Sequence, residues 1–237
     1  MSIWSRIQGA APRFLKRRAK SARKAIRYQW RRLAIQRPVR RGAPIKIIVG
    51  AAETSRAGWY ATNEQWLDVT KPEDWHRIFQ CKKILTHVVA EHVFEHLTPD
   101  ETRVALRQIF EHLVPGGRLR IAVPDGYHPD PSYRAHTCIN GIGDDASDHK
   151  QVLNVDVLTD LLEEAGFESR LLEGYRSDGH LTSEPYSTED GYIWRSRANR
   201  GAETKAPWAF VDSDTSLIVD GVMPTGLNPS SIGHFKQ

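Results

Sequence analysis

Three short apolar runs, too short for helices and separated by helical stretches, restrict the fold more than any other feature of this chain. Ile45-Lys46-Ile47-Ile48-Val49 is stopped by Gly50. Ile84–Ala90 is a second run, and Arg118–Val123 follows the turn Pro115-Gly116-Gly117. Continuous apolar runs rich in β-branched residues mark strands buried on both faces. Between the second and third, Thr98-Pro99-Asp100-Glu101 supplies a cap, a proline at the first helical position and first-turn acids. Val104, Leu106, Ile109 and Phe110 carry that helix to Leu113. Thr70-Lys71-Pro72-Glu73-Asp74-Trp75 reads as an earlier helix start capped by Thr70. Trp59–Thr62 and Trp66–Val69 each supply a short strand. Val155–Ala165 is a helix ended by Gly166, Phe167–Glu173 a strand, and Thr215–Val222 the last strand. Such alternation predicts an α/β domain with a mainly parallel sheet and helical crossovers. Ligands bind such sheets outside the carboxyl ends of the strands, so the functional loops follow Val49, Val69, Ala90 and Val123.

Two connections break the pattern. Only Ala51–Ala57 and Gly58 separate Gly50 from Trp59, whereas a crossover usually needs about a dozen residues. The first crossover helix is therefore reduced or absent. After Pro124, a segment rich in Gly, Pro, His and Asp runs to about Lys150, a length typical of functional loops.

Charge divides the chain. Residues 1–41 hold 14 Lys and Arg and no acidic residue, leaving 19 basic against 29 acidic residues in the remainder. Trp4, Ile7, Ala11 and Phe14, then Ala22, Ile26, Trp30 and Leu33, recur at helical spacing. This predicts one or two amphipathic basic helices, with Pro12 as a break between them. Arg37-Pro38-Val39-Arg40-Arg41-Gly42-Ala43-Pro44 reads as a linker. The expected organisation is a basic extension and linker over 1–44, a folded domain over 45–222, and a flexible tail over 223–237. Cations interleaved with Trp and Phe suit an anionic membrane surface first, nucleic acid second, and a solvated or targeting segment third. No apolar run reaches the roughly 20 residues of a membrane span. Cys81 and Cys138 form no CxxC pair and are expected to be reduced thiols. The expected location is the cytoplasm, with peripheral contact on the inner membrane face.

Three segments together resemble the class I S-adenosylmethionine-dependent methyltransferases. They are Ala90-Glu91-His92-Val93-Phe94-Glu95-His96-Leu97, Leu113-Val114-Pro115-Gly116-Gly117 through Asp125, and Leu161-Leu162-Glu163-Glu164-Ala165-Gly166-Phe167. In order and at this spacing they are similar to that superfamily's fourth strand and loop, its Pro-Gly-Gly turn into the fifth strand, and its turn before the sixth. The resemblance spans about residues 45–222. It is closest to a compact bacterial branch, often found among cell-surface polysaccharide genes, in which Gly58-Trp59 follows the first loop. It implies a Rossmann-like fold with a reduced first helix, S-adenosyl-L-methionine as cofactor, and O-methylation of a sugar or other small acceptor.

The same resemblance implies the site residues. The turn Gly50-Ala51-Ala52 stands where the family has a Gly-x-Gly-x-Gly pattern. Asn63 stands near the acid that holds the ribose, and Asp68-Val69 resembles the adenine contact. Glu91 and His92 should flank the cofactor below the sulfonium. A glycine-rich turn suits this role because backbone N–H groups can approach the ligand closely. Methyl transfer is an in-line displacement governed by positioning, and a reluctant hydroxyl needs a base. His128 and His149 in the long loop are the candidate bases. Two other readings stand beside this one. With a single glycine left in the first turn, the chain is either an enzyme or a degenerate binding module. His92-Val93-Phe94-Glu95-His96 also matches the His-x-x-Glu-His pattern of zinc hydrolases. That pattern needs one helix carrying both histidines, and Thr98-Pro99 leaves too little room, so no metal is expected. Neither the acceptor nor the oligomeric state follows from the sequence.

Overall fold

The computed structural model describes residues 13–52, 54–143, 146–197 and 216–226, with side chains in the first helix described from residue 25 onward. The expectations for Trp4, Ile7 and Ala11, for the break at Pro12, and for the tail beyond residue 226 lie outside the described residues. The chain begins with a helix, α1 (Arg13–Arg41), and continues with β1 (Ile45–Val49), β2 (Trp59–Ala61), α2 (Pro72–Phe79) and β3 (Leu85–Glu91). After a 3-10 turn at Phe94–His96 come α3 (Pro99–His112), β4 (Leu113–Pro124), α4 (Pro131–Thr137) and a second 3-10 turn at Ala146–Asp148. The remaining elements are α5 (Val155–Glu164), β5 (Glu168–Tyr175), β6 (Leu181–Ser183), a 3-10 turn at Thr188–Asp190, and β7 (Ser216–Val222).

These strands form one seven-stranded sheet in the order β2-β1-β3-β4-β7-β5-β6. The pairs from β2 to β4 are parallel. β7 runs antiparallel between β4 and β5, and β6 closes the edge as a hairpin partner of β5. This is a Rossmann-like, mainly parallel α/β sheet. The chain leaves β1 toward β2 on one side and toward β3 on the other, so the strand order switches at the β1–β3 boundary. The crevice outside the carboxyl ends of those two strands is where this topology leaves room for a ligand.

The period of two along the strands assigns residues to faces. Ile47, Val49, Val88, Ala90, Leu119, Ile121, Val123, Leu217 and Val219 face α1, α2, α3 and α5, which contribute Ile35, Val39, Trp75, Phe79, Leu106, Ile109, Leu158 and Leu162 to the same core. The intervening residues Ile48, Val89, Ala122 and Ile218 form a second, smaller core with Leu172 and Ile193. No described helix lies between β1 and β2, and residues 184–197 cover this second face instead. The reduced first crossover thus leaves one face of the sheet to a loop.

Several local expectations change. The linker predicted from Arg37 is helical up to Arg41, through Pro38. Pro38 forfeits one helical N–H, but Ile35 and Val39 on either side are buried in the main core. The helix ends at Gly42 (φ +63°), where Gly42 N–H donates to Val39 O and Ala43 N–H to Pro38 O. Trp66–Val69 is a turn, not a strand, because Trp66 and Leu67 both donate to Asn63 O. Thr70 does not cap α2, whose N-cap is Lys71; the Thr70 N–H and hydroxyl both bond to Asp68 Oδ1. Thr98 does cap α3, in a reciprocal capping box with Glu101. The long loop after Pro124 is not structureless but contains α4 and a 3-10 turn.

Candidate functional site

A cavity of about 880 Å³ opens at the strand-order switch. The turn after β1 supplies its floor. Gly50 (φ +59°) and Ala52 (φ +42°) both take left-handed backbone conformations, and Ala51 N–H donates to Thr62 O at 2.9 Å, fixing the turn to the end of β2. A Cβ on Gly50 would lie 2.5 Å from Val93 Cγ2, so glycine is what lets this turn approach the turn after β3. The basic helix reaches this loop as well. Arg31 donates to Ala52 O at 2.9 Å and to Thr54 O at 3.0 Å. The extension, read from sequence as an appendage, therefore braces the cavity's first loop.

The turn after β3 supplies the opposite side. His92 has a positive φ of 53°, and its N–H donates to Ala122 O at 2.8 Å, anchoring the turn to β4. Glu91 lines the cavity, but its carboxylate is also engaged. It accepts Trp194 N–H at 3.1 Å and Arg195 N–H at 2.9 Å. Burial pushes the Glu91 carboxyl above its ordinary range against the opposing pull of those two N–H groups. Just below, Glu95 is 2% exposed, with His92 Nδ1 3.0 Å from its Oε1. Burial alone would raise Glu95, but the neighbouring His92 and His96 outweigh it and hold the carboxyl below its usual range.

Residues 184–197 form the lid of the cavity, with Glu189, Tyr192, Trp194 and Arg195 on its lining. Their position is set from the sheet. Arg120, 1% exposed, makes a two-pronged bond to Asp220, 0% exposed, at 2.7 and 2.8 Å. Its remaining nitrogen donates to Ser187 O and Gly191 O, and its guanidinium lies 4.3 Å from the Tyr186 ring centroid. Lys46 adds a bond to Glu189 O, and Arg56 stacks over Tyr192 at 4.6 Å. Gly191 lies flat on Val89, where a Cβ would come within 2.7 Å of Val89 Cγ2.

The structure brings most of the sequence-predicted residues to this crevice and withholds others. Gly50, Ala51, Ala52, Glu91, His92 and His149 line the main cavity. Asp68 and Val69 line an adjoining hollow of about 320 Å³ that shares Gly50, His92 and His96 with it. Burial would raise the Asp68 carboxyl, but bonds from Thr70 and Lys71 dominate and lower it, so it is an anion. Asn63 lines neither space. It is buried, and its Oδ1 accepts Gln65 N–H at 3.1 Å, which makes it the starter of the turn that follows β2. His128 also stands away from the cavity lining. Its ring packs between Tyr133 and Tyr175, and its Nδ1 accepts Asp130 N–H at 3.2 Å. His149 reaches the cavity because Lys150 N–H donates to Glu95 O and Gln151 Nε2 to Phe94 O, tying the long loop to the turn after β3. Sequence reasoning missed Arg56, Tyr192, Trp194 and Arg195. For the last three the signal was a density of aromatic and charged residues in a segment without apolar periodicity; Arg56 carried none beyond its place in the first loop.

No protein-family model matches the sequence, and no curated protein matches it. Among solved structures, the chain is similar to a SAM-dependent methyltransferase from Archaeoglobus fulgidus, with 15% identity over 81% of this chain and 94% of that one, at a TM-score of 0.44. A possible histamine N-methyltransferase from Thermotoga maritima aligns at 13% identity over 86% and 95% of the two chains, with a TM-score of 0.43. An S-adenosylmethionine-dependent methyltransferase from Mesorhizobium loti aligns at 12% identity over 78% and 95%, also at 0.43. Likeness at this level leaves the substrate undefined.

Proposed function

We propose that the protein is an S-adenosylmethionine-dependent methyltransferase acting on a hydroxyl of a small or glycan acceptor. The observation that carries this reading is the cavity at the strand-order switch, floored by the Gly50 turn and walled by Glu91. Its volume is within the usual range of ligand pockets. The fit has three parts. Left-handed backbone at Gly50 and Ala52 turns the loop tightly at the end of β1, where a ligand's amino-acid end can meet backbone groups. Asp68, held as an anion beside Val69, offers an acceptor for the nucleoside end. Glu91 and Glu189 line the wall that a sulfonium cation would favour.

The bound cofactor supplies an activated methyl group, and the protein's residues supply position and proton handling. Gly50, Ala51, Ala52 and Asp68 orient the cofactor. The aromatic lid at Tyr192 and Trp194 excludes water and holds the acceptor. His149 Nδ1 lies 2.8 Å from Thr137 O, and since a carbonyl only accepts, the proton sits on Nδ1. Nε2 then keeps a lone pair, in a residue lining the cavity, to take the acceptor's proton. Calorimetric titration of the full chain with S-adenosylmethionine tests the reading. A binding heat weakened by Asp68→Ala supports it, and no heat at millimolar cofactor removes it.

A second reading concerns location. On α1, Ile26, Trp30 and Leu33 are 58%, 67% and 54% exposed, while Tyr28, Ile35 and Val39 on another stripe are buried in the domain. The helix thus carries an outward apolar stripe in a segment without acidic residues. We propose that this stripe enters the interface of an anionic membrane, with the arginines and lysines at headgroup level. No described helix is long and apolar enough to cross a membrane. Sedimentation with phosphatidylglycerol vesicles should deplete the protein from solution, and Trp30→Glu should abolish that; equal pelleting of the two would refute it.

A further inference from the structure

Glu95 is difficult to explain as a packing residue. It is 2% exposed, and both carboxylate oxygens are buried without a hydrogen-bond donor. Neither oxygen is exposed to bulk solvent, and a buried carboxylate is costly unless positive charge or a metal, with aligned bonds, completes it. His92 Nδ1 pairs with Oε1 at 3.0 Å but without the alignment of a full hydrogen bond, which leaves Oε2 and part of Oε1 for a further cation. Two further imidazoles converge on the same point. The His96 and His149 rings are 4.9 Å apart between centroids, and one ligand atom from each of Glu95, His96 and His149 lies within 4.8 Å of the others.

From this we infer that Glu95, His96 and His149 form a binding site for a divalent transition metal, with zinc-type preference, on the wall of the main cavity. Two imidazoles and one carboxylate are a donor set that suits Zn²⁺ better than Mg²⁺ or Ca²⁺, which favour oxygen alone. The neighbouring groups orient these donors. Thr137 O fixes the His149 proton on Nδ1 and so directs the Nε2 lone pair. Asp148 Oδ1 lies 3.0 Å from His96 Nδ1, a charge contact that is not aligned as a hydrogen bond and so does not fix the ring. Lys150 N–H bonds to Glu95 O, which holds the two ligand-bearing segments together. Tetrahedral coordination with bonds of about 2.0–2.1 Å places ligand atoms roughly 3.3 Å apart, so the three side chains draw together by about 1.5 Å at most. Side-chain torsions supply such a movement without displacing the backbone.

His96 and His149 both line the cavity, so the coordination positions not filled by protein face it. A metal there would bind and acidify an acceptor hydroxyl directly, replacing the free imidazole of His149 as the means of activating it. The site stands on its own geometry and does not depend on which cofactor the cavity takes.

The test uses the full chain, stripped with chelator, then titrated with Zn²⁺ alone and separately with Co²⁺ as a spectroscopic probe. One equivalent of Zn²⁺ should survive dialysis by elemental analysis, and Co²⁺ should give visible bands of a four- or five-coordinate ion. Glu95→Gln, nearly isosteric, and His149→Ala should each weaken Zn²⁺ binding about tenfold or more and abolish the Co²⁺ bands. His180→Ala, an exposed histidine far along the chain, should change neither. If Glu95→Gln fails to fold, His149→Ala and the Co²⁺ spectrum decide the matter. Wild-type affinity in His149→Ala, or no retained zinc in the wild type, overturns the proposal. S-adenosylmethionine titration of the stripped protein separates this outcome from the fate of the methyltransferase reading.

Discussion

Replacing Asp220 by Asn should destabilise the protein strongly, because it removes the counter-charge of a fully buried arginine. Arg120 and Asp220 are 1% and 0% exposed and share two short bonds. Asn keeps the shape but not the charge, and its Nδ2 would point a donor at a guanidinium donor. Breaking a buried ion pair from one side costs about 3–5 kcal/mol. At about 2–4 °C per kcal/mol for a domain of this size, Tm should fall by roughly 6–20 °C. Arg118 also bonds to Asp220 but is itself partly exposed, and it can return to water. Urea unfolding followed by tryptophan fluorescence gives the free energy, and circular dichroism gives Tm. The double variant Arg120→Met/Asp220→Leu should recover much of the loss, since it leaves no charge unpaired. It should not restore the lid, whose Ser187 and Gly191 carbonyls lose their donor, so residues 184–197 should become sensitive to protease. A loss below 1 kcal/mol in Asp220→Asn, with no gain in the double variant, would refute the reasoning.

Other substitutions probe separate links. Gly191→Ala places a Cβ 2.7 Å from Val89 Cγ2 at a φ of +147°; it should cost about 1–3 kcal/mol and speed proteolysis of the lid in a timed digest. Thr98→Ala removes the α3 capping box and should lower the urea midpoint by an amount equal to about 1 kcal/mol. Asp125, 0% exposed, is pushed above the usual carboxylate range by burial, despite N–H bonds from Tyr127 and Tyr175. Its folded form therefore binds the proton more tightly than the unfolded chain. Stability from this group rises as pH falls from the folded value to the unfolded one, and is constant below both. Wild type should gain on Asp125→Asn over that acidic window, as read by denaturation at several pH values; a gap that does not change with pH would contradict this.

The strands at Ile45–Val49 and Ile84–Ala90 and the helix after Thr98 were legible because their signals are local. An apolar run flanked by turn residues, or a cap followed by proline and acids, is complete within a few residues. Gly50 and Glu91 were placed at the crevice for a related reason, since a parallel sheet presents its strand ends along one edge, whereas Asp68 reaches it from a turn and not from the expected strand. Pro38 misled because its deciding contacts are distant, and Trp66 because a local turn competes with the strand pattern. Pro38 stays helical since Ile35 and Val39 are buried against the domain, and Trp66 lies in a turn that begins at Asn63.

The sequence by itself determined the mainly parallel α/β class and the missing first crossover, because periodicity and segment length are properties of neighbouring residues. Only the tertiary structure decided which groups meet. It drew Arg31 to the first loop, folded residues 184–197 over the uncovered face, sent His128 into an aromatic cluster, and gathered Glu95, His96 and His149 at one point. Most of those encounters join segments twenty or more positions apart. They depend on strand register and on how buried charges find partners, and neither is written in any local stretch of the chain.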